Sequence, residues 1–447
     1  MVERLLGTTG VVLMLAGPVL AGATGAAAAT FTLTQTLVDA LPAAGDGFGA
    51  AVALDANRAL VGIPGDSTFG SDRGAATLFD TATGAVLQSY TNPLGAAGDE
   101  ARFGAAVALE GSTVLIGAPD QDIAGDNAAG QAYQFSTASP APQRTLTNPA
   151  ISPNERFGQA VAIDGSRLYV ALPGDDTNSP STGPAGGQVI EYDTGFLAPQ
   201  RVLEGNTQVN FRGFGGSLAA DGGRLAVGEV PPTFGIFLEE ADAYVFGSSG
   251  TLPQRVIDDP APAPTGQIPE RTNRFGVSSA LDGNRLLIGD DLDDTSGPRD
   301  SGRATLFDAV TGALLTSFES PTPDQNGFFG RAVAISGDTV AIGEPGHDAP
   351  NGDAGRVLVF DAVSGALVQE ITSPGQGSAR FGAALALWGD TLLVGAPGDD
   401  LLGANAGRAF VYTLTSEPAP QTPIPLPGAA VLYLGALVVV GLVRRRG

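Results

Sequence analysis

Between its two ends the chain repeats one arrangement of apolar and polar positions. A run of small residues, such as FGAAVAL or FGQAVAI, leads into a tight polar turn (Asp164-Gly165, Asp282-Gly283, Ser336-Gly337). An apolar, β-branched run follows and ends in Gly-x-Pro, as in TVLIGAP and TLLVGAP. Next come an acidic stretch, a third apolar run (GRVLVFD, GRAFVYT) and a fourth run (ALVQEIT, PQRTLTN). Two-residue turns of this type close β-hairpins. Each unit is therefore predicted to hold four short antiparallel strands, the content of one propeller blade.

The Phe-Gly pairs that open the units fall at Phe48, Phe103, Phe157, Phe214, Phe275, Phe329 and Phe381, spaced 55, 54, 57, 61, 54 and 52 residues apart. A steady period of this size marks a propeller or a solenoid. The ends of the array decide between them. The seventh unit stops after its third strand, GRAFVYTLTSEP, and the missing fourth stands at the front: LTQTLVDALP, from Leu33, aligns with APQRTLTNPA, from Ala141. The opening strand is thus predicted to complete the last blade and hide two sheet edges. An all-β, seven-bladed propeller over residues 30–415 follows. Small residues beside Phe-Gly fit inner strands that converge on an axis, and the Phe fits a plug between blades.

The units resemble FG-GAP repeats, the blades also found in integrin α-chain propellers. Phe-Gly is complete in all seven, whereas Gly-Ala-Pro is intact only at Gly117-Ala118-Pro119 and Gly395-Ala396-Pro397. Units four and five depart at Glu229-Val230 and Asp290-Asp291. The resemblance implies extracellular ligand binding or adhesion. The integrin-type calcium loop between the first two strands is absent here, because that connection is a two-residue turn.

Composition narrows the function. The chain has 64 Gly and 32 Pro, in keeping with many turns rather than long helices. Its 47 acidic residues outnumber 23 basic ones, all Arg, for a net charge of -24. No basic patch suits nucleic acid, and the charge favours solubility and attraction for cations. Cysteine is absent, which removes disulfides, zinc thiolates and cysteine nucleophiles.

Both ends read as addresses. Residues 1–29 have a basic start at Arg4, an apolar stretch to Leu20 and a small-residue end at Ala27-Ala28-Ala29, the layout of a secretory signal peptide. At the other end, a Pro-rich linker (416–427) precedes a predicted transmembrane helix (428–443) and an Arg cluster (444–447). About 20 uncharged residues from Ile424 onward are enough to span a bilayer, and Arg444 to Arg446 should stay in the cytoplasm. Within this tail, PIPLPGA resembles the PEP-CTERM class of bacterial sorting signals in its VPLPA variant. That resemblance implies a Gram-negative bacterium, a membrane-held intermediate, an exosortase-type protease as partner, and a surface or extracellular destination. A plain permanent anchor is the alternative.

In up-and-down blades the second-to-third and fourth-to-first connections share one face. These vary in length and carry charge, so this face is the candidate surface. Asp120, Asp122 and Asp126, then Asp399, Asp400 and Asn405, are the best oxygen-ligand sets for a hard cation, with calcium the candidate cofactor; the same residue types also cap turns. Arg102, Arg156, Arg274 and Arg380 precede Phe-Gly and should ring the channel mouth. There they suit an anionic polysaccharide or carboxylate ligand, or neutralise neighbouring acidic loops. Trp388 stands on the opposite face as a candidate sugar or partner contact. His347, the one histidine, reads as a solvated loop residue. Unit four places Phe237-Leu238 and Glu239-Glu240 in a long loop. Two functions compete: a non-enzymatic binding or adhesion scaffold at the cell surface, and a secreted glycosidase working through carboxylates, for which Glu229 and Glu239-Glu240 are the candidates.

Overall fold

The computed structural model describes residues 29–415 apart from 69–71, 95–99, 175–185, 206–212, 230–241, 261–272, 295–296, 349–351, 353 and 376. The signal peptide (1–28 of it), linker, membrane helix and Arg cluster read from the sequence lie outside the described residues, as do Phe237, Leu238, Glu239 and Glu240. Among the described residues no helix is long and apolar enough to cross a membrane.

Twenty-eight described strands form seven four-stranded antiparallel sheets, with the strands of six sheets in chain order. In the second blade they run Ala106–Glu110, Thr113–Ala118, Gln131–Ser136 and Ser139–Leu146. The middle two strands are buried along nearly their whole length. Covered on both faces, they have no solvated side to alternate with, and so read as unbroken apolar runs. The outermost strands are mostly exposed, with one or two side chains turned inward: in Val86–Thr91, Tyr90 is buried while Val86, Leu87 and Ser89 face solvent.

Sheets of this kind must bury both faces, and neighbouring blades do it for one another. The described core falls into seven clusters, one at each junction. At the first, Leu60, Leu78 and Tyr90 meet Phe103, Val114, Ile116 and Phe135 of the next blade. Every cluster contains one Phe of a Phe-Gly pair, each fully buried. The Phe is a plug between blades, as the sequence suggests.

The glycine of Gly-x-Pro has its own reason. A Cβ added to Gly117 would lie 2.0 Å from the Gly158 carbonyl oxygen of the next blade, and the glycines at 62, 228, 289, 343 and 395 meet the next Phe-Gly glycine in the same way. Backbones touch there, and a side chain would hold the blades apart.

The first strands of the seven blades contact one another in a closed ring, from Val52–Asp55 around to Ala384–Trp388 and back. Closure is made by the opening strand, Thr30–Leu37, which pairs antiparallel with Arg408–Thr415 in the register Phe31↔Leu414, Leu33↔Tyr412 and Leu37↔Ala409. Phe31 and Leu37 are buried in the seam; burying two such side chains contributes about 3–6 kcal/mol. Gln369 of the sixth blade also brackets Phe31, accepting from its N–H at 2.7 Å and donating to its carbonyl at 2.9 Å.

Hydrogen bonds separate the two faces. On one, the first-to-second turn supports the third-to-fourth turn: Thr81 N–H donates to the Asn57 carbonyl, Ala309 to Asn284 and Ala362 to Asp338. On the other, the fourth-to-first connection supports the second-to-third loop: Gly65 N–H donates to Asp46, Gly174 to Glu155 and Gly346 to Gly327. The turn face also carries a belt between blades. Asp55 accepts from Gly111 N–H (2.7 Å), Glu110 from Gly165 (3.1 Å), Asp164 from Gly223 (2.8 Å), Asp221 from Gly283 (2.6 Å), Asp282 from Gly337 (2.8 Å), and Ser336 from Gly389 (3.1 Å). Trp388 stands where the seventh acceptor would be, so the belt stops at the seam between the last blade and the first.

Candidate functional site

With its turns bonded from blade to blade, one face is tied down, and variation is left to the loop face. The residue before Phe-Gly sits there in an unusual backbone state. Arg102, Arg156 and Arg380 have φ of 51°, 59° and 51°, and Phe328 has 57°. Such values are uncommon outside glycine, and they come at the residue just before a buried Phe.

Arg102 Nη1 and Arg156 Nε, from adjacent blades, both contact the Asp120 carboxylate at 3.2 Å. Nearly half of each guanidinium side chain stays exposed, 45% and 47%. One carboxylate thus anchors two cations whose remaining donors face solvent. Arg274 behaves differently. It grips the fully buried Asp291 with Nε (2.9 Å) and Nη2, and Arg331 adds a contact to the same carboxylate at 3.1 Å. Arg380 is exposed and makes no ion pair among the described residues. The four arginines therefore share a place in the repeat but not one task. Trp388, on the tied face, is half exposed.

The two proposed oxygen-ligand sets are engaged in other ways. Asp120 is shared by the arginines, Asp122 accepts from Ala128 N–H at 2.8 Å, and Asp126 closes a backbone turn with Ile123. These three carboxylates do not converge on one point among the described residues. Asp399 is buried and accepts two bonds from Arg408, at 2.8 and 2.7 Å, while Asp400 accepts from Asn405 N–H at 2.7 Å to shape the loop.

Blades four to six each bury an acidic residue at one slot of the repeat. The middle position of Gly-x-Pro is apolar in four blades (Ile63, Ala118, Leu172, Ala396) but acidic in these three (Glu229, Asp290, Glu344), and all three acids are buried. Burial pushes the Asp290 carboxyl well above the usual carboxylate range, with Asp259 and Asp293 nearby adding to the effect. Burial also raises Glu344, opposed by its hydrogen bond and ion pair with Arg356 and by His347.

Around Glu344 a cluster forms that sequence reasoning passed over. His347 is not a solvated loop residue: only 17% of its side chain is exposed, and Nδ1 faces Asp324 Oδ2. Asp324, Glu344 and His347 each place one ligand-type atom within 4.8 Å of the others. A signal did exist, since an acid in the usually apolar slot stands three residues before the one histidine. Asp324 carried no signal, because only the fold brings it in from the preceding connection.

A family model described as FG-GAP repeat matches residues 31–79, 95–135, 323–360 and 368–412. No curated protein matches the chain. Each match begins near the outermost strand of one blade and ends in the third strand of the next, so the sequence repeat is offset from the blade by one strand, the same offset that places Thr30–Leu37 on the last sheet. Four matched stretches within a ring of seven like blades identify the chain as a β-propeller of FG-GAP repeats.

Proposed function

We propose that this propeller is a non-enzymatic binding scaffold whose loop face recognises an anionic partner, a carboxylate-bearing polysaccharide first among them. The Arg102–Asp120–Arg156 bridge carries the reading: two half-exposed guanidinium groups held by one carboxylate across a blade junction. Guanidinium groups pair with carboxylates through two parallel hydrogen bonds. A rigid rim holds the groups in place and reduces the ordering cost of binding. In a chain of net charge -24, such a pair is a local exception.

The finer reading is of a protein exported from a Gram-negative cell through residues 1–29. It is then held by 428–443 and processed by an exosortase-type protease near 416–427, for adhesion at the cell surface or in the matrix. The letters of the two ends support this. Removal of residues 416–447 should release the protein from membranes into the medium; retention in the membrane fraction would defeat the sorting reading.

Binding is tested with a glycan array that includes uronic-acid polysaccharides, with and without calcium. Wild type should bind acidic glycans, and Arg102→Ala/Arg156→Ala should lose at least tenfold in affinity. Equal binding by the double variant would overturn the site. Turnover of aryl glycosides would overturn the non-enzymatic assignment in favour of a carboxylate-dependent glycosidase.

A further inference from the structure

We propose that Asp324, Glu344 and His347 form a binding site for a divalent transition-metal ion, zinc in the first instance. Glu344 and His347 are close in the chain, and only the fold brings Asp324 to them. Asp324 lies in the connection entering blade six, Glu344 ends the strand Thr339–Glu344, and His347 sits in the loop that follows.

The second observation is an orphaned atom. Glu344 is wholly buried, and its Oε2 is used by Arg356 Nε at 2.7 Å and Ser320 Oγ at 3.1 Å. Its Oε1 is buried with no hydrogen-bond partner. That oxygen faces Gly327, where an added Cβ would come within 2.8 Å of it, in the turn that carries Asp324. A buried carboxylate oxygen without a donor is costly. A cation placed between it, Asp324 and His347 removes that cost.

Charge agrees with this placement. Asp324, Glu344 and Glu370 supply three carboxylates against the single guanidinium of Arg356, which pairs with both glutamates. Two negative charges remain for a divalent ion to neutralise.

The donor set selects the metal. Imidazole nitrogen with two carboxylates suits zinc and its neighbours and disfavours calcium or magnesium, which take oxygen. Ligand atoms sharing one tetrahedral zinc lie about 3.4 Å apart; the three atoms already lie within 4.8 Å of one another, and His347 Nδ1 and Asp324 Oδ2, now in direct hydrogen-bond contact, part by side-chain rotation to admit the ion. Three protein ligands leave a coordination position open, through which a partner's carboxylate could bind. The proposal is independent of the arginine rim.

The test uses the full chain, purified in detergent and stripped with a chelator. Calorimetric titration with zinc, manganese or calcium, each alone, should give one zinc per chain at micromolar affinity or better, weaker manganese and no calcium at this site. Asp324→Asn and His347→Gln should each lower zinc affinity at least tenfold while keeping the far-ultraviolet circular dichroism of the parent. His347→Cys, loaded with cobalt, should show a thiolate-to-metal charge-transfer band, a readout that loss of stability cannot mimic. Absence of stoichiometric zinc binding, undiminished binding by His347→Gln, or absence of the charge-transfer band would each overturn the site.

Discussion

Replacing Gly117 with Ala tests the packing rule of the ring. The new Cβ would sit 2.0 Å from the Gly158 carbonyl oxygen and 2.9 Å from its carbon. Relief requires the backbones of blades two and three to separate by about 1.2 Å, which a close-packed interior does not absorb. A gap of that order also forfeits much of the dispersion across the junction, where Phe157, Leu168 and Val170 meet Ala106 and Leu115. We expect a loss of about 3 kcal/mol or more. The control is Gly111→Ala, at φ +55° with nothing within 4 Å of the added atom; it carries only left-handed strain, about 1–2 kcal/mol. Blade three supplies a natural comparison, since Ala171 occupies the slot of Gly117. There the first strand of blade four is irregular between Phe214 and Ser217, and the buried Ala171 methyl is accommodated, so Ala171→Gly should cost about 1–2 kcal/mol from the lost methyl and the added backbone freedom rather than relieve a clash. Urea unfolding monitored by circular dichroism reads all three. Equal losses for Gly117→Ala and Gly111→Ala would refute the claim that direct backbone contact between blades demands glycine.

Further outcomes follow from the same geometry. Arg408→Ala leaves Asp399 buried without its two guanidinium bonds and should cost about 3 kcal/mol or more; Arg408→Leu/Asp399→Leu should recover most of it, and failure to do so would remove the pair as the cause. Asp221→Ala breaks a belt bond to Gly283 N–H and should cost about 1–2 kcal/mol, whereas Trp388→Asp supplies an acceptor at the open seam and should stabilise by about 0.5–1 kcal/mol; the opposite order in urea midpoints would argue against the belt. Asp290, raised well above the usual range, is protonated in the folded state at pH values where the unfolded chain is already ionised. Its contribution is full below the unfolded value near 3.8 and falls as pH rises toward the folded value. Above pH 4, wild type should therefore lose stability relative to Asp290→Asn, by up to about 1.4 kcal/mol per pH unit; parallel pH profiles would contradict this.

Much of the fold was legible because it rests on short-range rules. Turn glycines, Gly-x-Pro and the period of Phe-Gly each report a steric demand made locally, and the missing fourth strand of unit seven can be counted from the letters. The site was less legible. Asp120 looked like a cation ligand because its letters match a metal loop, but the fold brings Arg102 and Arg156 onto it from two blades. Asp399 also looked like a cation ligand, yet it points inward to Arg408. Asp324 joins Glu344 and His347 only after Pro345-Gly346 turns back onto Asn326-Gly327, an approach made by the Gly346 N–H to the Gly327 carbonyl. Pair formation across separate loops depends on register in three dimensions, which a linear pattern does not encode.

Ring closure by the opening strand is tested most directly by a cross-link. The chain has no cysteine, so Thr32→Cys/Thr413→Cys introduces one pair at facing positions of the seam. Closure predicts that mild oxidation joins the pair within one chain and raises the unfolding midpoint. Two free thiols after oxidation, or a disulfide that forms only between chains, would contradict it.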